Sequence, residues 1–135
     1  WRFSDCSWVY VTRTDVVGQA ISLCLAEASG NWDSGYENPP ALASSVSEET
    51  VLDRMLLILE DNRRWETFFA WHGIEPLRCT YEEINGDILA VLGRIRDHLK
   101  MPQELIFPGV ELRRQAGAGN AALRSRVKLF FGQAG

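Results

Sequence analysis

No CxxC pair, no phosphate-loop signature and no membrane-length apolar run occur in this chain of 135 residues. Each absence closes off a class of function. The cysteines number only 3, and Cys6, Cys24 and Cys79 are far apart. That pattern fits neither a disulfide framework nor a zinc site and reads as reduced, buried thiols of a cytoplasmic protein. Histidine is scarcer still, at 2. A turn, a strand-like run and most of a helix-like run separate His72 from His98, so neither reads as a ligand and no metal is expected. With no Cys–His pairing at useful spacing, nothing suggests nucleophilic catalysis. Positive charge is short as well: 14 Lys and Arg face 18 Asp and Glu, for a net charge of −4 and a pI near 5.2. That balance argues against a nucleic-acid binder and leaves room only for a local basic pocket. No apolar stretch approaches the ~18 residues of a membrane span, and no charged-then-apolar leader opens the sequence. Gly117 and Gly119 lack the lysine and the preceding strand of a GxxxxGK[ST] loop.

What is present is ordinary for a globular domain, with 46% apolar and 24% charged residues. The length suits one domain spanning residues 1–135. Trp8-Val9-Tyr10-Val11 is aromatic and β-branched, as strands are. The chain enters this run almost at once, which reads as a fragment, since termini more often fray. Thr14 or Asp15 caps a helix through about Ala28, ended by Ser29-Gly30, with Val17, Ile21, Cys24 and Ala28 on one stripe. Residues 31–47 are rich in Gly, Asn, Asp, Ser and Pro and read mostly as loop. Ser45-Val46-Ser47-Glu48 fits a capping box, with Ser47 as the alternative cap. A long helix follows to Trp71-His72 and stops at Gly73. Its Trp65, Phe68, Phe69 and Trp71 read as core rather than as a stacking platform. Leu77 to Tyr81 is a second strand, Asp87 caps a helix through Leu99, and Ala121 to Phe131 forms a terminal helix. The element order predicts an α/β fold in which helix dominates.

Three segments offer chemistry. In YVTRTDVVGQAIS, Arg13 lies just past a strand, where α/β sheets bind ligands, and the following helix turns its positive end the same way. The guanidinium suits phosphate or sulfate, and Ser22 offers a hydroxyl two turns on. On position alone a surface ion pair with Asp15 or a nearby acid is the commoner explanation of Arg13, and packing explains Ser22. In YEEINGD, Tyr81 to Asp87, an acidic ligand site competes with a cap or an ion pair. In LRRQAGAGN, Arg113 and Arg114 could wrap an anion or form a solvated basic turn before flexible glycines.

The order of these motifs is more specific than any one of them. A strand, R-T-D-V-V-x-Q-A-I-S, R-R-W-x-x-F-F, G-I-x-P-L-x-x-x-Y-E-E-I-x-x-D and L-R-R-Q-A follow one another over nearly the whole chain. This series resembles the carboxyl-terminal portion of bacterial sulfotransferases of the trehalose 2-sulfotransferase type. The resemblance implies a P-loop-kinase-like α/β fold, a parallel sheet flanked by helices. It implies sulfuryl transfer from 3′-phosphoadenosine 5′-phosphosulfate to a hydroxyl of a carbohydrate or glycolipid-type acceptor. It also implies that Arg13 and Ser22 hold the donor's 3′-phosphate and that Arg113, Arg114 and Gln115 close over the nucleotide. The family's amino-terminal strand and Gly/Ser-rich loop, which grip the 5′-phosphosulfate, are absent from this sequence. The catalytic base is expected with them, so none is assigned and this portion alone is expected to be inactive. The competing reading is a non-catalytic helical interaction domain, with one face of the Glu48–His72 helix meeting a partner. A homodimer suits either, because a short sheet leaves an uncovered edge.

Overall fold

The computed structural model describes residues 3–32, 38–102 and 117–133. By internal contacts these fall into two units. The first holds residues up to Thr14 and from Asp61 to 102, and the second holds Asp15–Glu60 and the segment from Gly117 onward. Among the described residues the fold is mixed and helix-rich, with one small parallel sheet.

In the first unit, strand β1 (Val9–Thr12) pairs parallel with β2 (Leu77–Thr80), in register from Val9↔Leu77 to Thr12↔Thr80. The Leu77 N–H also donates to the Trp8 carbonyl at 2.9 Å. Aromatic side chains gather beside this ladder. Helix α3 (Glu48–His72) brings Phe69 to 5.3 Å from Tyr10 and 5.8 Å from Trp8, ring centre to ring centre. The Tyr10 hydroxyl donates to Asn62 Oδ1 at 3.0 Å. The aromatic set predicted as core is only partly so: Phe69 is buried, Trp65 is 45% exposed and Trp71 84% exposed. At 3.6 residues per turn, positions 65, 68, 69 and 72 share a face, whereas 71 lies nearly opposite 69. Helix α3 ends where Gly73 adopts φ 61°. Ile74 N–H then reaches the Phe69 carbonyl and Gly73 N–H the Ala70 carbonyl, the paired bonds of a left-handed helix stop.

The second strand is shorter than the sequence suggests. Tyr81 is not its last residue but the first of helix α4 (Tyr81–Gly86). A capping box decides this: Thr80 Oγ1 accepts from Glu83 N–H at 3.1 Å, and Glu83 Oε2 accepts from Thr80 N–H at 2.7 Å. Asp87 then caps helix α5 (Ile88–His98) by accepting from Ala90 N–H.

In the second unit, helix α1 (Val16–Ser29) starts at Asp15 and stops at Gly30, which adopts φ 68°. The predicted loop contains a one-turn helix, α2 (Pro40–Ala43), started by a proline whose missing N–H costs nothing at a first helical position. Ser47, the alternative cap, is the one used at the start of α3, its Oγ accepting from Thr50 N–H at 3.1 Å. Helix α6 (Ala118–Gly132) begins within the predicted flexible glycines. The core joins Ile21, Cys24 and Leu25 of α1 to Ala43, Val46, Val51, Leu123 and Val127. Burying each of the larger aliphatic side chains contributes roughly 1.5–3 kcal/mol. Ala28, predicted on this stripe, is exposed. Cys24 and Cys79 are buried as expected, but Cys6 is exposed. Burial pushes the Cys24 thiol up, which keeps it neutral.

Candidate functional site

Two parallel strands that end level place the residues following them side by side. Thr12 and Thr80 are the last register pair, so Arg13 and Tyr81 both emerge at the carboxyl end of the ladder. The Arg13 guanidinium carbon stands 4.8 Å from the centre of the Tyr81 ring. Its Nε lies 3.8 Å from Glu82 Oε1. The backbone N–H of Thr14 donates to the other oxygen, Glu82 Oε2, at 3.0 Å. The first and second candidate segments of the sequence are therefore one cluster, in which Arg13 and Thr14 face a carboxylate.

The position of that carboxylate is fixed from behind. The capping box sets the first turn of α4, and Glu83 also takes a 2.9 Å bond from Arg94 of α5. Arg94 in turn donates to the Arg78 carbonyl of β2 at 2.8 Å. The Glu83 carboxyl sits below the ordinary glutamate range, first because it accepts from the Thr80 backbone and then because Arg94 faces it. Tyr81 and Glu82 thus project from a turn tied to the sheet at both ends.

Ser22 belongs to the second unit, half-buried on α1, where its Oγ accepts from Asn120 Nδ2 at 3.3 Å. Asn120 comes from the third candidate segment, but as part of a helix. Arg113 and Arg114 lie outside the described residues. Asp15, one predicted partner of Arg13, accepts two bonds from Arg124, at 2.7 and 2.8 Å, and caps Gly18 N–H at 3.0 Å. The Asp15 hydrogen bond raises the Arg124 pKa further. A nearby acid does hold Arg13, and it is Glu82.

Gly18 makes the Asp15 arrangement possible, since a Cβ there would collide with the Asp15 carboxylate and lie 3.0 Å from Arg124 Nη1. Gly18→Ala should therefore cost about 1–2 kcal/mol in urea unfolding, the loss of the cap outweighing the better helix propensity of alanine. A stability equal to or above that of the parent would contradict this account.

Among the described residues, no group of three His, Cys, Asp or Glu could hold a metal ion. Among the same residues, no helix is long and apolar enough to cross a membrane. The pairing of Arg13 with Tyr81 and Glu82 was missed in the sequence, although T-Y-E-E carries the capping signature that brings them there.

Comparison with known proteins agrees with the motif order. The family model described as Stf0 sulphotransferase matches residues 2–128. A trehalose 2-sulfotransferase of Mycobacterium tuberculosis is 28% identical over 110 residues, covering 81% of this chain and 40% of that protein. The chain's match thus spans about two-fifths of that relative's length. No solved structure matches the chain. With a match across nearly all its residues, this chain belongs to the Stf0 sulphotransferase family.

Proposed function

We propose that this chain carries the donor-nucleotide side of a sulfotransferase site, on a P-loop-kinase-like fold. The donor is 3′-phosphoadenosine 5′-phosphosulfate, and the acceptor is a hydroxyl of a carbohydrate. One observation carries the reading: at the carboxyl end of two parallel strands, Arg13 and Thr14 N–H already face one carboxylate, with oxygens at 3.8 and 3.0 Å. A guanidinium beside a backbone N–H is a donor set suited to a phosphate oxygen. Family membership supports sulfuryl transfer in general.

In this reading the donor supplies the activated sulfuryl group, and the chain's residues bind and orient its nucleotide end. Arg13 neutralises the 3′-phosphate, and Thr14 N–H directs one of its oxygens. Ser22, whose hydroxyl is oriented by Asn120, is a second contact proposed from the resemblance. Arg113 and Arg114 are proposed on the same ground to close over the nucleotide. Holding and charge neutralisation are the main demands of such a transfer, as in phosphoryl transfer.

Calorimetric titration with adenosine 3′,5′-bisphosphate tests the reading. The parent chain should bind, and Arg13→Ala should weaken binding at least about ten-fold, the loss of a charge-assisted contact to phosphate. A folded chain that shows no binding would overturn it. Unchanged affinity in Arg13→Ala would remove Arg13 from the site.

A second reading, a helix-borne interaction surface, is favoured by α3 itself. Leu56, Leu57 and Leu59 are about half exposed, and Trp71 is nearly fully exposed. Large exposed apolar side chains on one helix are characteristic of partner-facing surfaces. A folded chain indifferent to the bisphosphate would leave this reading in possession.

A further inference from the structure

We infer that Glu82 is an internal stand-in for the ligand phosphate, a carboxylate that occupies the Arg13–Thr14 anion site until a phosphate displaces it. The inference rests on the reading that Arg13 holds the donor. Its own basis is geometric. The two oxygens of Glu82 divide between the two donors that a phosphate would need, Oε2 on Thr14 N–H at 3.0 Å and Oε1 toward Arg13 Nε at 3.8 Å. A hydrogen bond from a backbone N–H just past a strand to a carboxylate far away in sequence is not a local cap. Thr14 belongs to the β1 end, Glu82 to the first turn of α4, and the parallel register alone brings them together.

The remaining first-turn residues of α4 have other tasks. Glu83 closes the capping box and binds Arg94, and Tyr81 lies under the Arg13 guanidinium. Glu82 supplies neither the cap bond nor the platform. Its carboxylate is directed at the anion-binding donors, where it satisfies Thr14 N–H and offsets the Arg13 charge. Both side chains are partly solvated, so a dianionic phosphate can reach the donors and compete with the singly charged carboxylate for them. Displacement swings the carboxylate toward solvent while Tyr81 keeps the guanidinium in place. Glu82 therefore lowers the apparent affinity for any phosphate that displaces it.

The test compares the parent, Glu82→Gln and Arg13→Ala by calorimetry with adenosine 3′,5′-bisphosphate. Glutamine can still accept from Thr14 N–H but carries no charge, so Glu82→Gln should bind about three-fold more tightly than the parent. Equal or weaker binding by a folded Glu82→Gln chain overturns the stand-in role and makes Glu82 a positioning group. If Arg13→Ala binds as well as the parent, Arg13 leaves the site and the stand-in role falls with it. If Arg13→Ala weakens binding and Glu82→Gln fails to tighten it, only the stand-in role falls. Nuclear magnetic resonance of the parent supplies a measurement independent of either variant folding. The Thr14 amide resonance should move during the bisphosphate titration with the calorimetric affinity, as its acceptor changes from carboxylate to phosphate. A Thr14 resonance unmoved at saturation overturns the inference.

Discussion

Replacing Arg126 with alanine should lower stability by about 3 kcal/mol, because three hydrogen bonds from one guanidinium disappear together. Its Nε donates to Glu48 Oε1 at 2.8 Å, Nη1 to the Ala43 carbonyl at 2.8 Å and Nη2 to the Val46 carbonyl at 3.1 Å. One side chain on α6 thereby satisfies one carbonyl at the end of α2 and one in the link that follows, and holds the first acidic residue of α3. Solvent reaches part of the guanidinium, so each bond is taken at about 1 kcal/mol, the value of an ordinary hydrogen bond rather than a charge-assisted one. Arg126→Lys separates charge from shape. An ammonium can keep the Glu48 contact but has no planar fork for two carbonyls as well, so it should recover less than half the loss. Chemical unfolding followed by circular dichroism measures both. A change below about 0.5 kcal/mol for Arg126→Ala would place it with ordinary surface residues.

Gly119→Ala should cost about 2–3 kcal/mol, although alanine is intrinsically the better helix former. A Cβ at this position would lie 2.6 Å from the Asn38 carbonyl oxygen and 3.0 Å from that of Pro39. Both atoms are backbone, so no side-chain rotation relieves the overlap and α6 has to move away. That movement also strains the 3.1 Å bond from Gly119 N–H to the Asn38 carbonyl and loosens the neighbouring core at Leu123. The midpoint of thermal unfolding should fall by roughly 10 °C. Gly132→Ala is the control, since an added Cβ there meets nothing within 4 Å. A Gly119→Ala chain that melts with the parent would show that α6 does not need this close approach.

The sequence was most legible where one local rule governed. Asp15, Gly30, Gly73 and Asp87 bound their helices as their chemistry requires. The position of Arg13 past a strand was legible too, because it needs only the end of an apolar β-branched run. What it would meet was not, since Glu82 reaches it through strand register rather than through spacing. The aromatic residues of α3 misled for a related reason. Their composition reads as core, yet the helical period turns Trp71 away from Phe69. The glycines of AGAGN looked like freedom and prove to be closeness. Gly119 is buried against another backbone, a constraint that only the packed chain reveals.

The parallel register of β1 with β2 also dictates an order of assembly. Val9 precedes its partner Leu77 by the length of three helices, so no rung of the ladder can form until helices α1 to α3 have been synthesised. In the same way, Leu25 and Val51 wait for Leu123 and Val127 to close their core. The chain passes from the first unit to the second, back, and out again, so the ladder of the first unit can close before the core of the second is complete. Closing such distant contacts makes folding slow. Until β2 arrives, the flank of β1 that it will cover stays open, a state in which a chaperone would find backbone to hold.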